Sequence, residues 1–193
     1  ANLRTFDQWI IDGAAANTNA QITMHMYTSR TARAVYISDN FNAAWPFESA
    51  SGTITTVTTR ATAELGEPQH RPFSGPFKSV WWAFTPAVGG SLRLDTHGSS
   101  FDTMLAVYTG PSVSNLARVA ANDDDGSPGW ASGVLVTNVR AGTRYAIAVD
   151  GSGGRCILNW QYAPDSAQAG DVAINELMIA PSNVAAANGQ WVE

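Results

Sequence analysis

The sequence predicts an all-β protein built around an antiparallel, jelly-roll-like β-sandwich, and three observations support this. Charged residues make up only 14% of the chain, against about 25% in typical globular domains. The polar surface must therefore come from Thr, Ser, Asn and Gln, which suit the outer faces of strands better than those of helices. Short apolar stretches recur, separated by turn residues at intervals of about 8–12 positions, as in sandwiches. Lys78 is the only lysine, which also disfavours exposed helices.

The charge balance narrows the class of partner. The net charge is −5, and no basic run or basic-aromatic stripe is present, so we expect no binding to nucleic acid. No apolar segment is long enough to span a membrane. The only cysteine, Cys156, cannot form an intramolecular disulfide, and we expect it to be a small buried hydrophobe rather than a reactive thiol. No signal peptide is visible, as expected for a mature or excised chain.

Residues 1–36 show period-two alternation in three places, which predicts a hairpin-like set of strands. The first begins at Phe6-x-x-Trp9 and ends at the turn signal Asp12-Gly13, and the others cover residues 22–26 and 32–36. Together with Gln21-Ile-Thr-Met24 and Arg30-Thr-Ala32, this pattern resembles the C-terminal part of a divergent internalin-type B-repeat. That family forms small all-β repeats along bacterial surface proteins, so the resemblance implies an incomplete neighbouring module.

Residues 37–163 carry most of the strand signals. The expected strands are the following: 52–59, 79–84, 91–96, 104–108 closed by Gly110-Pro111, 134–139, 145–149 and 156–162. The run Ser79-Val-Trp-Trp-Ala-Phe84 is apolar throughout. Since adjacent strand residues face opposite sides, we expect Trp81 or Trp82 in the core and the other on the outer face or at a module junction.

The same stretch carries an ordered set of motifs that resembles the bacterial pre-peptidase C-terminal-like β-sandwich. These motifs are Glu64, Gly66-Glu-Pro-x-His70, Ser79-Val-Trp-Trp82, Gly98-Ser99, Phe101-Asp-Thr103, Leu105-Ala-Val-Tyr-Thr-Gly110, Leu116, Asn122-Asp-Asp124, Gly142-Thr-x-Tyr145 and Ile147-Ala-Val-Asp-Gly151. The resemblance covers about two-thirds of the chain. It implies a non-catalytic module of a large exported protein. Related modules that are attached to secreted proteases and collagenases bind calcium or substrate polymers.

Residues 164–193 contain a linker and two further strand signals. Asp171-Val-Ala-Ile-Asn-Glu-Leu-Met178 and Gln190-Trp-Val-Glu193 resemble the opening strands of a lamin-tail-type, immunoglobulin-like domain. Two strands cannot bury a core alone, so we expect this segment to pack on the sandwich, to pack on another molecule, or to be poorly ordered. Both ends of the chain are therefore expected to be cuts through neighbouring modules.

A calcium site is the main chemical hypothesis. Asn122-Asp-Asp-Asp-Gly126 concentrates carboxylates, and calcium prefers several hard oxygens in a flexible loop. The resemblance brings Asp102 towards Asp123 and Asp124, and it makes Glu64 and Glu67 possible further ligands. The alternative is a plain turn in which Asp side chains accept hydrogen bonds from backbone amides. The spacing does not match an EF-hand.

Two other features of the sequence bear on binding and catalysis. Trp130 follows the acidic loop, and an exposed indole there could stack on a sugar; a core or inter-module contact is the favoured alternative. The three histidines show no metal-ligand spacing, no Gly-x-Ser-x-Gly elbow exists, and we expect no catalytic site. We expect His70 to be structural and Gly151-Ser-Gly-Gly154 to be a hairpin turn rather than a phosphate loop.

The sequence therefore predicts a non-catalytic structural or adhesive module of a secreted or cell-surface bacterial protein, stiffened by calcium. Its partners would be neighbouring domains or neighbouring copies. One alternative is an accessory module that binds a polysaccharide or protein polymer for an extracellular hydrolase. Another is a fibre subunit assembled by strand pairing at the chain ends.

Overall fold

The computed structural model describes residues 5–25, 27–70, 77–127, 129–166, 177–179 and 190–192. Within these ranges the protein is built from β-strands and one short 3-10 helix at Phe41–Ala43. The fold class predicted from the sequence is confirmed. No helix in the described ranges is long and apolar enough to cross a membrane.

A three-stranded antiparallel sheet forms the N-terminal part. Its strands are β1 (Thr5–Ile11), β2 (Ala14–Asn17) and β3 (Ala32–Ile37), in the order β2-β1-β3. Asp12 and Gly13 have φ values of 50° and 85°, as the tight turn of a two-residue hairpin requires. The predicted turn is thus confirmed.

One strand expected in this region is absent. Residues 21–25 have no strand pairing in the part of the chain that is described, and residue 26 lies outside it. The prediction for 22–26 rested on side-chain alternation alone, whereas a strand also needs a partner for its backbone groups. Strand β1 already pairs with β2 on one side and β3 on the other.

Two sheets form the sandwich. The strands are β4 (Trp45–Pro46), β5 (Ser51–Val57), β6 (Val80–Phe84), β7 (Gly90–Asp95), β8 (Thr103–Ser112), β9 (Asn115–Asn122), β10 (Gly133–Val139), β11 (Tyr145–Gly151) and β12 (Arg155–Pro164). One sheet has the order β10-β7-β12-β5 and the other β4-β6-β11-β8-β9.

The main core lies between the two sheets. Its fully buried members come from both, and they include Trp82, Leu92, Val107, Ile147 and Leu158. Burying one such aliphatic side chain stabilises the fold by roughly 1.5–3 kcal/mol. Cys156 belongs to the same cluster and is 0% exposed, so its predicted role as a buried hydrophobe is confirmed. Burial raises the pKa of its thiol to about 12.

A second core covers the outer face of the five-stranded sheet. Trp81 points to this face, where it packs with Phe41 and Tyr108. Trp81 and Trp82 therefore face opposite sides, as predicted, but both are fully buried. The segment between β3 and β6 provides the cover; its Ser38 carbonyl accepts a 2.8 Å hydrogen bond from the Trp81 amide.

Strands β8 and β9 form a longer hairpin than the sequence predicts. The expected end of the strand at Gly110-Pro111 is wrong, because β8 continues to Ser112 before the chain turns. Gly110 allows this: it has a φ of 146°, and a Cβ there would lie 2.2 Å from the Asn115 carbonyl oxygen. Strand β9 itself was not predicted, since it is an edge strand whose side chains are mostly exposed.

Several connections cross between the sheets. Residues 151–154 do form a turn, as expected, but not a hairpin, because β11 and β12 belong to different sheets. The reason is that β11 already pairs with β6 and β8 on its two sides. Strand β12 instead lies between β5 and β7 in the other sheet.

A short antiparallel pair follows the sandwich. Strands β13 (Leu177–Ile179) and β14 (Gln190–Val192) pair with Met178 opposite Trp191. They overlap the two strand signals predicted for this region, with β13 ending one residue beyond the first signal. The rest of those signals, residues 171–176 and 193, lies outside the described residues.

Candidate functional site

The candidate site lies at one end of the five-stranded sheet. In the antiparallel order β6-β11-β8-β9, the starts of β6 and β8 and the ends of β11 and β9 fall on the same edge. A cavity of about 380 Å³ opens there, lined by Phe77, Lys78, Asp102, Met104, Asp123, Gly151 and Ser152. The volume is within the range of small-molecule sites, about 300–1,000 Å³.

A buried carboxylate positions one wall of this cavity. Asp150 is 0% exposed, and its Oδ1 accepts hydrogen bonds from the amides of Lys78 and Gly151, each at 2.7 Å. The Phe77 amide lies 3.0 Å from both oxygens. Hydrogen bonds to an ionised acceptor are stronger than neutral ones, so Asp150 fixes residues 77–78 against the end of β11.

A glycine lets the opposite wall approach closely. Gly151 has a φ of 145°, and a Cβ at this position would lie 2.3 Å from the Asp102 carbonyl oxygen and 2.8 Å from the Phe101 ring. Any other residue would push the 101–102 loop away from β11. The cavity therefore depends on Gly151 for its width.

The lining combines apolar surface with three charged side chains, the ammonium of Lys78 and the carboxylates of Asp102 and Asp123. Met104 is 5% exposed, whereas Phe77 is 54% exposed. The side chain of Lys78 lies over the β11–β12 turn, where its Nζ would be 3.3 Å from a Cβ built on Gly153. Within the described part of the chain, neither the Lys78 ammonium nor the Asp102 carboxylate forms a hydrogen bond or ion pair.

The predicted calcium ligands divide between this cavity and its surroundings. Asp102 and Asp123 line the cavity together. Asp124 lies outside it and lines a neighbouring groove along β9, which it shares with Asp123 and His70. The structure thus brings two of the predicted ligands to one cavity and leaves a third beside it.

Glu64 and Glu67 belong to a hydrogen-bond network within the covering segment, the residues between β3 and β6. Glu67 accepts from the Glu64 amide at 2.8 Å, and its other oxygen lies 2.8 Å from His70 Nε2. Glu64 accepts from the Phe41 amide at 2.6 Å. Burial, and after it the neighbouring carboxylates of Glu67 and Asp39, raise the pKa of Glu64 despite the Phe41 hydrogen bond.

His70 connects this network to the sheet. Its Nδ1 lies 2.9 Å from the Tyr108 hydroxyl, and its ring contacts Trp81 edge-on. The two ring nitrogens thus join Glu67 and Tyr108, with donor and acceptor roles that depend on the tautomer of the ring. Burial raises the pKa of Tyr108 well above its usual value. The geometry favours the structural interpretation of His70, since the ring ties the covering segment to β8.

The fit to calcium can be judged from the donor set. Calcium takes six to eight oxygens, and two carboxylates supply at most four. Among the residues whose placement is described, no group of three or more His, Cys, Asp or Glu side chains could hold a metal ion. A calcium ion between Asp102 and Asp123 would need carbonyl or water ligands, and it would share the cavity with Lys78. The calcium site stays a prediction.

The rest of the acidic loop forms a turn next to Trp130. Asp125 accepts from the Ser127 amide at 2.9 Å, and its other oxygen lies 2.7 Å from His97 Nε2. The Ser127 hydrogen bonds, with a smaller contribution from His97, lower the pKa of Asp125. Asp125 therefore behaves as in a plain turn, where an Asp side chain accepts a hydrogen bond from a backbone amide. Trp130 is 65% exposed and has a φ of 60°.

Sequence reasoning missed the residues that give the cavity its distinct character. Phe77, Lys78, Met104 and Ser152 line it. The first three belong to no motif that indicates binding, and Ser152 stands in Gly151-Ser-Gly-Gly154, which the sequence predicts to be a turn. The one available signal was that Lys78 is the only lysine of the chain. In comparisons with known proteins, no family model matches the sequence and no curated protein matches it significantly.

Proposed function

We propose that this chain is a non-catalytic structural and adhesive module of a larger secreted or cell-surface bacterial protein. The observation that carries the proposal is the second core. Trp81 and its neighbours bury the outer face of the five-stranded sheet, so this sheet is apolar on both sides. Interiors packed in this way resist deformation, which suits a spacer between neighbouring modules.

The sheets that flank the sandwich favour the same role. The chain forms a three-stranded sheet before the sandwich and a separate strand pair after it. Such elements suit contacts with adjoining domains or with neighbouring copies through unpaired strand edges.

Mechanical unfolding of the chain between two marker domains tests this proposal. We expect the sandwich to yield in one cooperative event that releases about 400 Å of contour length, since each freed residue adds about 3.3–3.6 Å. Trp81→Ala should lower the unfolding force, and Trp130→Ala, which changes an exposed side chain, should not. Gradual extension of the wild-type chain without a force peak would refute the role of a rigid spacer.

Polymer binding is the second candidate, and Trp130 is the observation that favours it. A non-glycine residue with positive φ is uncommon and costs energy, and such strain clusters at functional sites. Here it holds an indole that is 65% exposed. Co-sedimentation with cellulose, chitin and collagen fibres tests the idea. Trp130→Ala should abolish retention, whereas Leu135→Ala, at an exposed leucine on β10, should not; equal effects would argue against a Trp130 site.

A further inference from the structure

The cavity at the end of the five-stranded sheet has the composition of a binding site for a small amphipathic molecule. Met104 forms an apolar floor and Phe77 an apolar rim. Most small-molecule sites combine such surface with a few placed polar groups. This feature is separate from the spacer role and from Trp130.

The charges of the cavity indicate what kind of molecule it suits. Asp123, which also lines the cavity, already takes part in another interaction. Lys78 offers an ammonium group and Asp102 a carboxylate, and neither is neutralised by a partner among the described residues. A ligand that carries both an anion and a cation could satisfy each of them. A simple cation or a simple anion would satisfy only one.

The walls are also held in place before any ligand binds. Asp150 anchors the amides of residues 77, 78 and 151, and Gly151 lets the 101–102 loop close on β11. A site whose walls are already ordered loses less entropy on binding. The cavity is therefore a built feature of the fold rather than a gap between loose side chains.

We propose that this cavity binds a small zwitterion with an apolar body, of which an α-amino acid with an aliphatic side chain is the simplest member. The ammonium of Lys78 receives the ligand's carboxylate, and the carboxylate of Asp102 receives its amino group. The aliphatic side chain of the ligand packs on Met104 and Phe77.

Amide-resolved NMR titration with L-leucine tests the proposal. We expect saturable shifts at Lys78, Met104, Gly151 and Ser152. Lys78→Gln and Asp102→Asn should each weaken binding by about tenfold to a hundredfold, as expected for the loss of one interaction with a charged group. Asp124→Asn, next to the lining residue Asp123 but outside the cavity, is the matched control and should leave the affinity unchanged.

Leucine derivatives in which one or both charged groups are blocked measure how much each charge contributes to binding. N-acetyl-leucine carries only the anion, as at the end of a peptide, and leucine amide carries only the cation, as at its start. Both should bind at least tenfold more weakly than L-leucine, and N-acetyl-leucine amide more weakly still. Equal affinity for the doubly blocked compound would refute the charge pairing.

Two further results would overturn the proposal. One is the absence of saturable shifts up to about 50 mM L-leucine in a folded protein with dispersed amide signals. The other is saturable shifts at the cavity residues with millimolar calcium and none with L-leucine, which would assign the cavity to the metal. Both outcomes leave the spacer proposal untouched, because that depends on the force measurement.

Discussion

Replacing Asp150 measures how much its hydrogen bonds at the end of the five-stranded sheet contribute to the free energy of unfolding. Its carboxylate accepts the amides of Lys78 and Gly151 at 2.7 Å and lies 3.0 Å from the amide of Phe77. Asp150→Asn exchanges one acceptor oxygen for an NH₂ group and removes the charge. Since a hydrogen bond to a charged group contributes about 1.5–3 kcal/mol and a neutral one about 0.5–1.5, weakening two such bonds should cost about 2–3 kcal/mol.

Asp150→Ala should cost more, about 3–5 kcal/mol, because it leaves buried amides without an acceptor. Urea unfolding followed by tryptophan fluorescence measures both variants, with Asp124→Asn as an exposed control expected to change the free energy of unfolding by less than about 0.5 kcal/mol. A loss below about 1 kcal/mol for Asp150→Ala would refute the reasoning. It would mean that the amides find water or other acceptors when the carboxylate is gone.

Four other outcomes follow from the structure. Trp81→Ala should lower the free energy of unfolding by about 3–5 kcal/mol in a urea titration, and a cost near zero would contradict the second core. Because burial raises the pKa of Cys156 to about 12, a thiol reagent at pH 8 should label the native protein only as fast as it unfolds. Burial also raises the pKa of Asp7, against the opposing effects of Arg60 and Gln8. The free energy of unfolding should therefore fall as the pH rises from about 3.8 through the raised pKa of Asp7, and Asp7→Asn should remove that dependence. If calcium binds the folded form it must raise the midpoint of thermal unfolding relative to a chelator, and an unchanged midpoint would end the calcium hypothesis.

The strands that the sequence predicted well are those whose side chains are buried on at least one face. Strand β6 has an apolar run because two cores flank it. Strand β9 escaped prediction because an edge strand with exposed Arg118 and Val119 needs no apolar period. The false strand at 22–26 shows the converse, since alternation without a backbone partner does not make a strand.

The candidate site was predictable only in part for a related reason. Family resemblance placed Asp102 towards Asp123, and the two do line one cavity. Phe77 and Lys78 reach the same cavity because Asp150 binds their amides across 73 and 72 positions of sequence. Nothing local in the residues around Lys78 records that contact, so pattern analysis could not find it.

The position of β12 has a consequence for how the protein reaches its native state. This strand lies between β5 and β7, and its Asn159 contacts Thr53, 106 positions earlier. The four-stranded sheet is therefore split into separate pieces until the last strand of the sandwich is available. Pairings between distant segments form slowly, so folding should wait for the complete sandwich, and a chain still bound to the ribosome would expose the edges of β5 and β7 until β12 is synthesised.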